Sequence, residues 1–221
     1  MIYGIFVAGG SGTRMGSSLP KQFMDLGGKP VLQRTIDRFR EVFPGIKVIT
    51  VLPKSHFDTW KRLCDATQFI CPQILVEGGL TRFHSVQNAL AKVPDGALVF
   101  IHDGVRPLVS PQLLRKMADA MGECGALIPV VPVVDTLRSR KKGEPAPDRS
   151  SVEAVQTPQV FRSELIKKAY TQAYDVSFTD DASVAEAAGI PVSTIEGERF
   201  NLKLTTPDDL VLAEAILSLD L

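Results

Sequence analysis

Ala8-Gly9-Gly10-Ser11-Gly12-Thr13-Arg14-Met15-Gly16, followed by Pro20-Lys21, is a glycine-rich stretch that carries two cations seven residues apart. It follows the first apolar run of the chain directly, where an α/β fold places its phosphate-binding turn. Glycines let backbone N–H groups approach phosphate oxygens closely, and Arg14 and Lys21 add flexible positive charge. That combination suits a triphosphate whose negative charge grows during reaction. A tight turn with two surface cations is the plainer alternative. Two phosphate-binding patterns fail: the GxGxxG fingerprint meets Met15 where a glycine is required, and the Gly-Lys-Ser/Thr of a P-loop is absent. The fingerprint failure also argues against a nicotinamide dehydrogenase.

Ile101-His102-Asp103-Gly104-Val105-Arg106-Pro107 is the second informative segment. An apolar run ending in Asp sets a carboxylate at the carboxyl end of a buried strand, the edge where open α/β sheets bind ligands. Asp103 beside polyphosphate would balance charge around Mg²⁺, directly or through water. Arg106 could hold an anionic substrate. An Asp-Gly turn with a capping role is the alternative. Further polar groups lie at element boundaries: Asp148-Arg149, Thr157-Pro158-Gln159, Thr179-Asp180-Asp181 and Asn201-Leu202-Lys203-Leu204-Thr205. Arg, Thr and Lys are the types that hold a second phosphate, but spacing alone does not bring them together. His56, His84 and His102 share no metal-ligand spacing with each other or with the cysteines, and no GxSxG elbow is present.

Alternating elements must position these groups. Ile2 to Ala8, Ile46 to Leu52, Gln73 to Val76 and Leu98 to Ile101 read as strands, and Pro30 to Phe43, His56 to Cys64 and Thr81 to Lys92 as helices. Ser110-Pro111 reads as an N-cap with Pro at the first helical position, opening a helix to about Met121. This alternation predicts an α/β fold with a mostly parallel sheet covered on both faces. Ala126 to Val134 is apolar but holds Pro129 and Pro132, so it is expected to be bulged or at an edge over part of its length. Arg138 to Ser151 is the most polar stretch, either a solvated loop or a hairpin arm with Gly143-Glu144-Pro145 near its tip. Ser163 to Tyr174 reads as a helix, Thr179 as the N-cap of a short helix ended by Gly189 and Pro191, and Val192 to Ile195 as a strand. Thr206-Pro207-Asp208-Asp209 opens the last helix. No linker separates independent halves, so residues 1–221 are expected to form one domain with an arm over about 135–156.

Composition bounds the function class. Lys plus Arg and Asp plus Glu are 25 each, so the formal net charge of the 221 residues is zero. That argues against a general nucleic-acid or membrane-surface binder. Hydrophobic residues are 44% and charged residues 23%, as in a folded globular chain. Cys64, Cys71 and Cys124 are odd in number and form no CxxC pattern, which fits reduced thiols in a cytoplasmic protein. The opening MIYGIFVAGG has no basic region before its apolar run and reads as a buried strand rather than a signal peptide. No stretch approaches the ~18 apolar residues of a membrane span.

Taken together, GGSGTRMG with PKQF, Gly78-Gly79 with Arg82 and Ser85, HDGVRP, PVVDT, DRSS, AVQTPQVFR, FTDDAS and NLKLTTPDDL resemble the 2-C-methyl-D-erythritol 4-phosphate cytidylyltransferase family over almost the whole chain. The resemblance implies a Rossmann-like three-layer nucleotidyltransferase fold with a protruding β-arm. It implies transfer of CMP from CTP to methylerythritol phosphate, with Mg²⁺ held mainly by the CTP phosphates. Arg14 and Lys21 would stabilise charge on the α-phosphate. Ala8, Gly9, Gly10, Gly12, Thr13, Gly79, Arg82 and Ser85 would bind the nucleotide, with Asp103 and Arg106 between nucleotide and acceptor. Arg149, Thr157, Thr179 and Lys203 would receive the acceptor phosphate. In such enzymes the arm crosses to a second subunit, so a homodimer is implied and Arg149 would serve the partner's site. A phosphate monoester with a second pKa of ~6 can attack without a general base, in keeping with the lack of an obvious catalytic histidine.

Two departures stand out. Ala-Gly-Gly also resembles the ribitol 5-phosphate cytidylyltransferase branch, whereas the methylerythritol branch more often has Ala-Ala-Gly. Leu80 stands where a polar residue is common. HDGVRP and TDDAS favour the methylerythritol branch. The same transfer to ribitol 5-phosphate or another polyol phosphate is the near alternative, and a non-catalytic nucleotide-binding module is the alternative of a different class.

Overall fold

β1 (Ile2–Val7) runs through the middle of the sheet, and its alternating side chains feed two cores. Ile5 points to one face and Phe6 to the other, both fully buried. The computed structural model describes residues 1–10, 19–122, 124–141 and 143–219. After β1 a small hairpin, β2 (Asp25–Leu26) and β3 (Lys29–Pro30), turns through Gly27 and Gly28. Both glycines have positive φ, as a tight two-residue turn demands. Helix α1 (Val31–Val42) then buries Leu32, Ile36 and Phe39, one face at helical spacing.

Strand–helix alternation follows as expected: β4 (Lys47–Leu52), α2 (Phe57–Ala66), β5 (Gln73–Glu77), α3 (Arg82–Leu90), β6 (Leu98–Asp103) and α4 (Pro111–Ala120). Ser110 caps α4, accepting from Leu113 N at 3.0 Å with Pro111 at the first position. The second half contains β7 (Ala126–Pro132), β8 (Glu153–Val155), β9 (Gln159–Arg162), α5 (Ser163–Ala169), α6 (Asp181–Ala187), β10 (Ser193–Glu196) and α7 (Pro207–Leu217). Thr206 and Asp209 form the capping box of α7.

The sheet order is β10-β7-β9-β6-β1-β4-β5, with β8 paired to β7. β1 is parallel to β4 and β6, β4 to β5, and β7 to β10, while β9 is antiparallel to β6 and β7. Helices α3, α5 and α6 cover one face, and α1, α2 and α4 the other, giving three layers. From β1 the chain moves outward to β4 and β5, then returns to place β6 on β1's other side. That reversal opens a crevice at the carboxyl ends of β1 and β6, the position where such sheets bind ligands.

Two sequence expectations are corrected, one is narrowed and two strands are added. β7 is at an edge only over Val131 and Pro132, as expected for part of its length: β10 flanks Leu127 to Val130 on one side, and β9 and then β8 lie on the other. Its second neighbour changes between Leu127 and Val130, so Pro129 stands at a break in its partner's ladder. Helix α5 stops at Ala169 rather than Tyr174. Tyr170 and Tyr174 both pack on Phe83, with centroids 4.7 and 5.8 Å away, and that shared contact mimics helical spacing. The N-cap of α6 is Asp180, not Thr179, with its carboxylate accepting from Ser183 N at 2.9 Å. β8 and β9, between the polar stretch and α5, correspond to no strand read in the sequence.

The polar stretch springs from the antiparallel β7–β8 pair, Val130 opposite Val155 and Pro132 opposite Glu153. Among the described residues between those strands the only helical turn is a 3-10 turn, Arg149–Ser151, capped by Asp148. Among the described residues no helix is long and apolar enough to cross a membrane. All three cysteines are free thiols, and burial pushes the Cys64 thiol up to about 11.

Candidate active site

Two adjoining cavities open at this crevice. The first, about 340 Å³, is lined by Ala8, Gly9 and Gly10 after β1, Lys21 and Gln22, Gly79 to Arg82 after β5, Ser85, Asp103 and Lys203. The second, about 240 Å³, is lined by Arg106, Gln156, Thr157, Gln159, Thr179 and Asp180. Arg82, Asp103 and Lys203 line both and form the shared wall. A larger cavity of about 630 Å³ lies against Leu108, Val109, Ile216 and Leu217 and touches neither the glycine turn nor Asp103.

The first cavity is built largely from backbone. Ala8 N donates to Val51 O at 2.9 Å, and the buried Gln22 amide donates to Ala8 O at 2.9 Å, fixing the exit of β1. At Gly9 an added Cβ would meet nothing within 4 Å among the described residues, so none of them crowds the backbone there. Lys21 begins a 3-10 turn, Lys21–Phe23, with its Cε about 4.0 Å from where a Cβ on Gly10 would sit. Opposite, Gly79 N donates to Ser85 Oγ at 3.0 Å, and Ser85 Oγ donates to Thr81 O at 2.9 Å. Ser85 therefore shapes the Gly79 turn, with its one proton committed to Thr81. A Cβ on Gly79 would lie 2.4 Å from His84 Cβ. Gly79→Ala is thus expected to displace the first turn of α3 and, on the nucleotide-binding role that the resemblance implies for Gly79, to raise the KM for nucleotide about tenfold. Steady-state kinetics check this, and an unchanged KM would detach the turn from nucleotide binding.

Asp103 is the electrostatic centre. Its Oδ1 accepts from Arg82 Nη1 at 2.9 Å, and its Oδ2 from Lys203 Nζ at 3.0 Å and Arg106 Nε at 3.2 Å. Burial opposes its ionisation, but Arg82, Lys203 and Arg106 override burial and hold the carboxyl well below the usual range. Arg82 also donates from Nη2 to Asp181 Oδ2 at 2.6 Å. Burial disfavours its charge, yet Asp181 and Asp103 hold it firmly protonated. Arg106 reaches across to Asn201 O at 2.7 Å. Asn201 Nδ2 in turn donates to Thr157 O at 2.8 Å, which ties the loop before α7 to the second cavity.

His102 and Thr157 fix the carboxyl end of β6. His102 Nε2 faces Arg106 O at 3.1 Å, and a carbonyl can only accept, so Nε2 carries the proton. Nδ1 then accepts from Thr157 Oγ1 at 3.0 Å, and Thr157 Oγ1 accepts from Asp103 N at 3.0 Å. The hydroxyl proton of Thr157 is thus directed at His102, and only acceptor capacity remains for a ligand. Burial pushes His102 down to about 3, keeping it neutral. An unfolded histidine titrates near ~6.5. Between those values the unfolded chain binds a proton that the folded chain does not, so stability rises with pH there and is full above ~6.5. Wild type is expected to lose more thermal stability than His102→Gln as pH falls from 7 to 5. Equal losses would contradict a neutral His102.

Of the residues singled out in the sequence, Ala8, Gly9, Gly10, Lys21, Gly79, Arg82, Ser85, Asp103 and Lys203 meet at the first cavity. Arg106, Thr157 and Thr179 join Arg82, Asp103 and Lys203 at the second. Gly12, Thr13 and Arg14 lie outside the described residues. Arg149 lines neither cavity; it is exposed in the segment between β7 and β8, where its Nη1 donates to Val134 O at 3.0 Å. Gln22, Gln156 and Tyr170 were given no role in the sequence, and Asp181 was named only within the Thr179-Asp180-Asp181 group. Gln156 lies within the AVQTPQVFR segment, and a second acid beside the cap of α6 was the available signal for Asp181.

Comparison with known proteins gives the arrangement a family. The family model for 2-C-methyl-D-erythritol 4-phosphate cytidylyltransferase (IspD) matches residues 2–219. A protein of that name from Bacteroides thetaiotaomicron is 49% identical over 214 residues, covering 96% of this chain and 98% of its own. One from Porphyromonas gingivalis is 47% identical over 218 residues, covering 98% and 97%. Among solved structures, 4-diphosphocytidyl-2C-methyl-D-erythritol synthase from Anaerococcus prevotii superposes with a TM-score of 0.82 at 30% identity, covering 98% of both chains. The Thermus thermophilus 2-C-methyl-D-erythritol 4-phosphate cytidylyltransferase superposes at 0.75 with 31% identity, covering 99% of this chain and 100% of its own. With matches of this length and identity, the chain belongs to the 2-C-methyl-D-erythritol 4-phosphate cytidylyltransferase family.

Proposed function

We propose that this protein transfers CMP from CTP to 2-C-methyl-D-erythritol 4-phosphate, giving 4-diphosphocytidyl-2-C-methyl-D-erythritol and pyrophosphate. The observation that carries the reading is the pair of cavities sharing one wall of Arg82, Asp103 and Lys203. The nucleotide occupies the first cavity and the acceptor the second, so their phosphates meet at that wall. An acceptor oxygen forms a bond to the α-phosphorus while the bond from α-phosphorus to the bridging oxygen of pyrophosphate breaks. Near neutral pH the acceptor phosphate is mostly dianionic, its second pKa being ~6, so no proton must be removed first. The work left to the protein is alignment and charge neutralisation. Lys21 and Arg14 act on the nucleotide phosphates. Arg106, Lys203 and Thr179, with Arg149 of a partner subunit, receive the acceptor.

The donor set does not make a resident metal site. Asp103 already accepts from three cations, and among the described residues no cluster of three metal-ligating side chains exists. Mg²⁺ therefore enters as part of the nucleotide substrate, carried on its phosphates. We further assign the enzyme to the cytoplasm as a homodimer joined through the arm, in keeping with three free thiols and an exposed cationic arm.

The test is a panel of acceptors. Pyrophosphate release is followed with methylerythritol phosphate and ribitol 5-phosphate, with CTP and UTP, with and without Mg²⁺. The expected result is Mg²⁺-dependent turnover with CTP and methylerythritol phosphate. Turnover with ribitol 5-phosphate alone would move the assignment to that acceptor. CTP binding without pyrophosphate release for any acceptor would make the protein a binding module.

A further inference from the structure

Arg82 bridges two buried carboxylates, only one of which faces the cavities. Asp103 lies on the cavity side, and Asp181, fully buried at the start of α6, lies behind. Asp181 Oδ2 accepts from Arg82 Nη2 at 2.6 Å, and its Oδ1 accepts from the Tyr170 hydroxyl at 2.6 Å. Tyr170 is itself locked. Its ring stacks on Phe83 with centroids 4.7 Å apart, and its carbonyl accepts from Gln87 of α3 at 2.7 Å. Neither Asp181 nor Tyr170 lines either cavity.

A buried carboxylate is unfavourable unless paired, and apolar residues of similar volume would stabilise such a position at least as well. The arrangement makes sense if orientation is what it supplies. One guanidinium arm fixed to each carboxylate restricts rotation and holds Arg82 at the wall between the cavities. We propose that Asp181 and Tyr170 are positioning residues for the transfer, with Tyr170 orienting Asp181 and Asp181 holding Arg82. This rests on the function proposed above. Burial, Asp181 and the hydrogen bond raise the Tyr170 hydroxyl well above its usual value, so it stays a donor throughout the working pH range.

A double-mutant cycle on the full-length protein tests the relay. Tyr170→Phe is expected to lower kcat about tenfold while both KM values change less than about twofold, because orientation matters most in the transition state. In an Arg82→Lys background, whose point charge has no second arm for Asp181, the same change should alter kcat by less than about twofold. Asp181→Asn run through the same cycle gives a second, independent reading if Tyr170→Phe fails to fold by circular dichroism. Nucleotide stoichiometry by calorimetry corrects each kcat for active fraction, which removes a merely structural effect. Equal factors in both backgrounds, or an unchanged kcat in both single variants, would overturn the relay. A wild type that is inactive with every acceptor would instead sink the functional reading, and the relay with it.

Discussion

Replacing Lys21 with alanine is expected to lower kcat more than ~10²-fold while the protein remains folded, because a preorganised cation at developing charge contributes on that scale. Lys21 lines the first cavity from a short 3-10 turn, beside the backbone of Gly9 and Gly10. The turn is pinned independently, by the buried Phe23 and by Gln22 bonding to Ala8 O. Truncating the lysine leaves those anchors in place, so a thermal melt should move little. Negative charge increases on the α-phosphate as the bond forms, and a fixed ammonium favours that state more than the ground state. The loss should therefore appear in kcat more than in the KM for CTP. Arg14→Ala should behave similarly. A near-normal kcat in either variant would remove that residue from its role.

The second large effect concerns Arg149. Arg149→Ala homodimers are expected to lose more than ~10²-fold in kcat/KM for the acceptor, although Arg149 lines neither cavity of its own chain. The segment that carries Arg149 leaves the sheet at the β7–β8 pair and exposes its guanidinium, which is compatible with the proposed service to a neighbouring subunit. Mixing subunits gives the decisive readout. In a heterodimer of Lys21→Ala and Arg149→Ala chains, action in trans leaves one site doubly damaged and the other intact. Random mixing of equal amounts should then restore about a quarter of wild-type activity. Action within one chain would leave both sites broken, and mixing would restore nothing.

How far these residues were legible in the sequence depends on what fixed them. The glycine-rich turn and Asp103 could be read because both follow buried apolar strands, and strand ends in an α/β sheet have a known relation to ligands. The caps of α4 and α7 could be read because Ser110 and Thr206 each precede a proline. The hairpin β2–β3 was missed although Gly27-Gly28 marks its turn, since each strand is only two residues long. β9 was missed because an antiparallel strand inserted between β6 and β7 breaks the alternation that identified its neighbours.

The site follows the same division. Which residue types could bind phosphate was visible, but convergence was not. Lys203 meets Asp103 through a chain separation of about a hundred residues, and only the fold brings them to 3.0 Å. Arg82 was legible through resemblance and Asp181 only as part of the Thr179-Asp180-Asp181 group, whereas Tyr170 was not, because its contact with Asp181 gives no periodic or spacing signal. The spent protons of Ser85 and Thr157 likewise follow from geometry alone.

Direct attack of the acceptor phosphate on the α-phosphorus is tested most directly by isotope transfer. The reaction is run with CTP and methylerythritol phosphate carrying ¹⁸O in its non-ester phosphate oxygens, and the product is read by ³¹P NMR. The predicted result is one ¹⁸O bridging to the cytidine-bearing phosphorus, all labels retained on the methylerythritol-bearing phosphorus, and unlabelled pyrophosphate. A cytidine-bearing phosphorus without the isotope shift, or label in the released pyrophosphate, would contradict it.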